Sequence, residues 1–304
     1  MPRLAHRERA HAGEKLIFTQ RPVVFECANE TLLGIVTIPD CPADVGVLVI
    51  VGGAQYRIGS HRQFLLLSRQ LAGEGIACMR FDFRGMGDGS GALRDFEGGG
   101  EDIRAALDVF SKTYPSLQRV VLWGLCDAAS AAALYAHTDA RVRGLILLNP
   151  WVRTEAGAAR TYLRHYYMRR LTQGEFWRKL LGGRLRLGYA GRNFMALICA
   201  AFKKTIGKPG QDHLENAPSL PERVGEGLRR FSGPVQIFLA GQDYAAQEFD
   251  AAIHQNTALR QGLAACQVTW ARVPEANHTF STARWRAQVE TETIRWIKRL
   301  EENR

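Results

Sequence analysis

An α/β fold is predicted, a mostly parallel twisted sheet flanked by helices with a helical cap inserted into it, and three features of the sequence predict it. Strand-like apolar runs alternate with helix-forming runs along most of the 304 residues, the pattern of a parallel sheet wrapped by helices. One strand-to-helix junction, Arg119 to Ser130, carries small residues at the spacing of a sharp elbow. The alternation stops at Trp151 and resumes at Pro234, an interval long enough for an inserted subdomain.

The elements follow in order. After a basic leader (1–19), Pro22 to Cys27 and Leu32 to Pro39 read as antiparallel strands joined by the turn Ala28-Asn29-Glu30. Val45 to Val51 is a β-branched run of the buried parallel type, ending at Gly52-Gly53. Ser60 to Glu74 reads as a helix, with Ser60 as N-cap and Phe64, Leu67 and Leu71 on one face. Ile76 to Phe83 is the next strand, Glu101 to Tyr114 a helix, and Val120 to Trp123 the strand leading into the helix Ala128 to Leu134. Val142 to Leu148 is a further strand, ending at Asn149-Pro150. Beyond the interruption, Val235 to Ala240 and Gln267 to Val273 supply two more strands, and Trp285 to Leu300 a closing amphipathic helix. The predicted domains are therefore a core of residues 20–150 and 233–304 and a helical, basic cap at 151–232. Pro218, Pro221, Gly225, Gly227 and Gly233 mark the return from the cap to the core.

With 46% hydrophobic and 23% charged residues the chain has the composition of an ordinary globular protein. Met1 to Lys15 has no apolar signal core and no later run is long enough to span a bilayer, so a cytoplasmic location is the expectation. Six cysteines without a CxxC pair read as reduced thiols. The net charge of +10 lies in the interval Trp151 to Ser232, which holds 16 Lys and Arg against 6 Asp and Glu. No helix-turn-helix, zinc finger or aromatic RNA-binding signature accompanies that charge, which argues against nucleic acid. An anionic substrate, or an anionic membrane surface to which the protein would be peripheral, fits it.

The elbow carries the chemistry. In Gly124-Leu125-Cys126-Asp127-Ala128, Cys126 takes the tip, and Gly124 and Ala128 let strand and helix approach. A core cysteine is the bland alternative. A nucleophilic thiol needs a base or an electropositive setting. His278, in the loop after the last strand, is the base candidate, and His61 is the other histidine with a plausible setting. Asp243, following the preceding strand, would orient the imidazole, with helix N-capping as its structural alternative and Asp250 in reserve. Oxyanion donors are expected from the backbone N–H of Asp127 and from the loop after Val51, at Ala54 or Gly53. The carboxylate of Asp127 would oppose thiolate formation unless it turns toward the helix N-terminus. Arg57, His61 and Arg62 after that loop, and Arg153, Arg160, Tyr162 and Arg164 in the cap, are candidates for binding an anionic substrate. Solvated helix faces are the alternative for the cap charges. No ligand spacing for a metal is present, and no cofactor is expected.

Nucleophile, acid and histidine follow in the order of an α/β-hydrolase. Within that superfamily Asp82-Phe-Arg-Gly-Met-Gly-Asp-Gly-Ser90 resembles the loop of lipase- and lysophospholipase-like members. The closer resemblance is to the exosortase A system-associated hydrolase type 1 family. It is carried by the strings Val51 to Phe64, Arg80 to Asp88, Leu122 to Ser130 and Leu148 to Glu155, and extends from about residue 20 to the C-terminus. That resemblance implies a bacterial cytoplasmic enzyme encoded with exopolysaccharide and protein-sorting systems. The chain departs from the wider superfamily at Cys126 for serine, Ala128 for the final glycine and Gly52 where a histidine often stands. A Cys-His-Asp set resembles the dienelactone hydrolases and polyester synthases. The expected activity is thus an acyl hydrolase or acyltransferase acting on an ester or thioester, small or carrier-linked. The alternatives are a membrane-surface module built on Tyr162 to Leu187 and a protein-binding module without catalysis.

Overall fold

The computed structural model describes residues 18–41, 43–53, 55–153 and 217–302. The chain divides into two compact units, residues 1–152 with 221–304, and residues 153–220.

Strands β1 (Phe18–Cys27) and β2 (Glu30–Pro39) pair antiparallel with Cys27 opposite Glu30. Ala28 and Asn29 alone make the turn, both at positive φ (49° and 65°). Two such residues give the twist that paired strands require, so Glu30 joins β2 instead of the turn. Strands β3 (Val45–Ile50), β4 (Ala77–Phe81), β5 (Arg119–Leu125), β6 (Val142–Leu148), β7 (Pro234–Ala240) and β8 (Gln267–Val273) complete an eight-stranded sheet. Its order is β1-β2-β4-β3-β5-β6-β7-β8; β2 meets β4 antiparallel and every later neighbour is parallel. All residues of β3 and β4 are buried, as expected where helices cover both faces and no polar alternation is needed. At the edge, β8 is exposed at most positions.

Seven helices belong to the described residues: α1 (Gln63–Gly73), α2 (Gly100–Thr113), α3 (Asp127–Tyr135), α4 (Leu220–Phe231), α5 (Tyr244–Gln255), α6 (Thr257–Ala264) and α7 (Ala283–Glu302). Helix α3 is mostly alanine, which favours helix and lets it lie close on the sheet. Ser60 does not cap α1. Ser60–Arg62 form a 3-10 turn, and His61 and Arg62 take left-handed conformations (φ 53° and 61°) immediately before the helix. The N–H groups of Phe64 and Leu65 at the start of the helix donate to the Ile58 carbonyl (3.2 and 3.3 Å), which does the work a serine cap would do.

Helix α4 occupies a stretch that the sequence assigns to the cap and its exit, and all but its first residue falls in the first unit. Its glycines are contact points between helices. A Cβ on Gly225 would lie 2.4 Å from the carbonyl oxygen of Ala258 in α6, and one on Gly262 would lie 2.1 Å from that of Gly225. Gly227 meets α3 in the same way, 2.4 Å from the Ala133 oxygen. Gly225 and Gly227 look like loop punctuation in sequence, yet they let backbones touch.

The parallel strands β5, β7 and β8 end at Leu125, Ala240 and Val273 on one edge of the sheet. The residues just beyond those ends form the candidate site.

Candidate active site

Cys126 sits between β5 and α3 at φ 63°, ψ −122°. A non-glycine residue there stores about 1–3 kcal/mol of strain, which the surroundings must over-determine. They do so through its backbone. Its N–H donates to Leu148 O in β6 at 2.8 Å, and its carbonyl accepts from Ala129 (3.1 Å) and Trp151 (3.1 Å). Gly124 is obligatory, because a Cβ there would stand 2.5 Å from the Ala128 oxygen, whereas Ala128 itself fits, buried, at the position that is often glycine. The half-buried sulfur lies at the N-terminus of α3, where the helix dipole favours negative charge.

His278 and Asp243 are brought together with it. The His278 Nδ1 is 3.0 Å from Asp243 Oδ2, and the ring also hydrogen-bonds the Cys126 side chain. The bond to Asp243, then the bond to Cys126, outweigh partial burial and push the imidazole up to about 10. Asp243 serves two purposes, since its carboxylate also caps α5 by accepting from the N–H groups of Ala245 (3.3 Å) and Ala246 (3.2 Å). Capping and ring orientation are therefore compatible at this residue. Asp250, the reserve carboxylate, pairs with Arg272 at 2.6 Å instead of with the histidine.

The loops carrying Asp243 and His278 are zipped together. Gly241 N–H donates to Val273 O (3.0 Å) and Gln242 N–H to Ala276 O (2.9 Å). Asn149, which sequence reasoning passes over, adds a third tie. It is fully buried at the end of β6; its Oδ1 accepts from Ala240 N–H at 2.8 Å and its Nδ2 donates to the His278 carbonyl at 3.0 Å. The signal in the sequence is a lone polar residue, able to adopt positive φ, closing an apolar run before proline.

On the other side of the sulfur the expected oxyanion groups fare differently. The Asp127 N–H opens α3, where an amide has no intrahelical acceptor. The Gly53 N–H is occupied: it donates to the Asp127 carboxylate at 2.7 Å. Ala54 lies outside the described residues. Arg57 is engaged within the protein. Its guanidinium is held by Asp82, which is fully buried, and by Asp88 (2.8 Å), while its N–H donates to Asp82 at 2.6 Å. The Asp82 to Asp88 stretch thus braces the loop after β3.

His61 and Arg62 are exposed on their 3-10 turn, and Arg153 is exposed at the start of the second unit. Arg160, Tyr162 and Arg164 lie outside the described residues. Among the described residues no cluster of His, Cys, Asp and Glu could hold a metal ion, and no helix is long and apolar enough to cross a membrane.

The family described as "Serine aminopeptidase, S33" matches residues 43–281 of the chain. The esterase Pf2001 of Pyrococcus furiosus is similar in structure, with a TM-score of 0.62 at 15% identity over 93% of each chain. Est1E of Butyrivibrio proteoclasticus, solved with ferulic acid bound, has a TM-score of 0.57 at 14% identity over 91% of this chain and 98% of its own. The acylaminoacyl peptidase of Pyrococcus horikoshii has a TM-score of 0.61 at 17% identity over 93% of this chain and 42% of its own. Comparison with curated protein sequences gave no match. These likenesses and the sheet order identify the α/β-hydrolase fold.

Proposed function

We propose that this chain, which belongs to the serine aminopeptidase S33 family, is an acyl hydrolase or acyltransferase in which Cys126 is the nucleophile. The observation that carries the reading is the hydrogen-bonded line from Cys126 through His278 to Asp243, assembled from three strand ends. The bond to Asp243 holds the His278 imidazole above its ordinary range, which favours the imidazolium. In that form it stabilises a sulfur anion and serves as the acid for the leaving group, with the base role following later in the cycle.

The sulfur of Cys126 attacks the carbonyl carbon, and the carbonyl π pair moves to oxygen, which the Asp127 N–H is placed to receive. The intermediate collapses, the carbon–leaving group bond breaks, and the leaving group takes the proton from His278. The resulting thioester is then attacked by water or another acceptor, whose proton passes to the now neutral His278. Sulfur departs, and the starting pair is restored. A thioester activates its acyl group for onward transfer, so ester and thioester donors suit this arrangement better than peptides.

An anionic donor, such as a coenzyme A or carrier-protein thioester or an acidic saccharide ester, is supported by the basic excess of 151–232 and by the exposed His61 and Arg62. The resemblance to the exosortase A system-associated hydrolases supports a setting beside exopolysaccharide systems. The test compares acyl-coenzyme A with the same acyl group on uncharged N-acetylcysteamine, in the parent and in Cys126→Ala. A lower KM for the coenzyme A donor and no turnover in the variant are expected. Turnover by Cys126→Ala overturns the nucleophile, and equal KM values overturn the anionic donor. The basic, aromatic stretch Tyr162 to Leu187 favours a second reading, binding to an anionic membrane surface, which vesicle sedimentation of Cys126→Ala would detect without turnover.

A further inference from the structure

A carboxylate directly after the nucleophile would oppose both the thiolate and the oxyanion if it faced them. Asp127 faces neither in that way, because each of its oxygens is taken by a backbone amide. Oδ1 accepts from Ala128 N–H at 2.9 Å and Oδ2 from Gly53 N–H at 2.7 Å. One amide belongs to the first turn of α3 and the other to the loop after β3, so a single side chain joins the two backbones that flank the sulfur. Part of the charge is offset by the helix N-terminus.

Gly52 makes the joint possible. A Cβ at Gly52 would lie 2.0 Å from Asp127 Oδ1 and 2.9 Å from Ala128 N, so any other residue there would displace the carboxylate. Gly52 and Asp127 are therefore one feature, split across two distant parts of the chain. The same loop is fastened again at Arg57, by Asp82 and Asp88.

We propose that Asp127 is a positioning residue whose carboxylate clamps the loop after β3 to the N-terminus of α3, fixing the loop backbone relative to the Asp127 N–H that would receive the oxyanion. This rests on Cys126 acting as the nucleophile. The clamp matters only for attack on a carbonyl, where negative charge develops on oxygen. Displacement at a saturated carbon develops no oxyanion and needs no such donor.

Two reagents separate the cases: p-nitrophenyl acetate, which acylates through a tetrahedral oxyanion, and iodoacetamide, which alkylates by displacement. Both are followed by mass spectrometry of the Cys126 peptide in the parent, Asp127→Ala, Asp127→Asn and Gly52→Ala. Asp127→Ala and Gly52→Ala are expected to acylate about 10- to 100-fold more slowly, with alkylation unchanged or faster. Asp127→Asn keeps an oxygen for the Gly53 N–H and is expected to recover most of the acylation rate. Faster acylation by Asp127→Ala would mean that the carboxylate blocks the loop donor, and would overturn the clamp. Equal loss of both reactions, or no recovery in Asp127→Asn, would overturn it too. Unchanged acylation in Asp127→Ala overturns the clamp alone, whereas no acylation of Cys126 in the parent overturns the nucleophile and the clamp together.

Discussion

Replacing Asn149 with alanine removes two hydrogen bonds from a fully buried side chain and frees the backbone of His278. The amide accepts from Ala240 N–H and donates to the His278 carbonyl. Alanine leaves both groups without that partner, at about 1–3 kcal/mol each, the lower figure applying to the partly buried carbonyl. It must also hold a φ of 45°, which asparagine tolerates and alanine resists by about 1 kcal/mol. Together these give a loss of roughly 3–5 kcal/mol, or about 5–10 °C in melting temperature for a chain of this size. Urea denaturation followed by tryptophan fluorescence measures the first quantity. Cys126 alkylation, read well below the transition, reports the histidine loop and should slow by about tenfold, a rise of about 1.4 kcal/mol in the barrier. Asn149→Asp keeps the acceptor for Ala240 but turns an oxygen toward the His278 carbonyl, and should fare no better than alanine. A stability within about 1 kcal/mol of the parent for Asn149→Ala, with unchanged alkylation, would refute this reasoning.

Asp243→Asn should separate the two uses of that residue. Asparagine caps as well as aspartate, so the helix end is kept and stability should fall only by the charge contribution of His278, about 1–2 kcal/mol, while turnover drops by about 10²–10⁴-fold and the NMR titration of His278 moves down toward the ordinary histidine range. The raised value of His278, about 10 against 6.5, also makes stability depend on pH. Because the folded value lies above the unfolded one, the contribution is complete below pH 6.5 and is lost as pH rises through about 10. With the side chain 38% exposed, solvent screening trims it to about 1–2 kcal/mol. The difference between urea midpoints at pH 6 and pH 10.5 should therefore shrink in His278→Gln. Gly225→Ala should destabilise by about 1–3 kcal/mol although alanine is the better helix former, because α4 and α6 must separate; a rise in melting temperature would contradict that contact.

Much of the candidate site was legible because each of its parts follows the end of a strand. Cys126, Asp243 and His278 follow β5, β7 and β8, and the small residues around the elbow announce the turn before any coordinates do. What sequence could not convey is where polar side chains spend their hydrogen bonds. Arg57 reads as a substrate arginine, yet its partners Asp82 and Asp88 lie in a motif 25 or more residues away. Gly53 reads as an oxyanion donor until Asp127 is seen to occupy its N–H. Ser60 obeys the N-cap preference locally, but the Ile58 carbonyl takes the N–H groups it would cap. Gly225 and Gly227 lose their helical reading to a general association of glycine with turns, since only the neighbouring backbones of α6 and α3 reveal why a side chain is excluded. Local preference is weak beside tertiary contact in each of these cases.

The nucleophile itself is tested most directly by intact-mass spectrometry during reaction with an activated ester and an acyl thioester, with peptide mapping of the adduct. One acyl group on Cys126, formed slowly in His278→Ala and absent in Cys126→Ala, is the predicted result. An adduct that persists in Cys126→Ala, or maps to another of the six cysteines, would contradict the assignment.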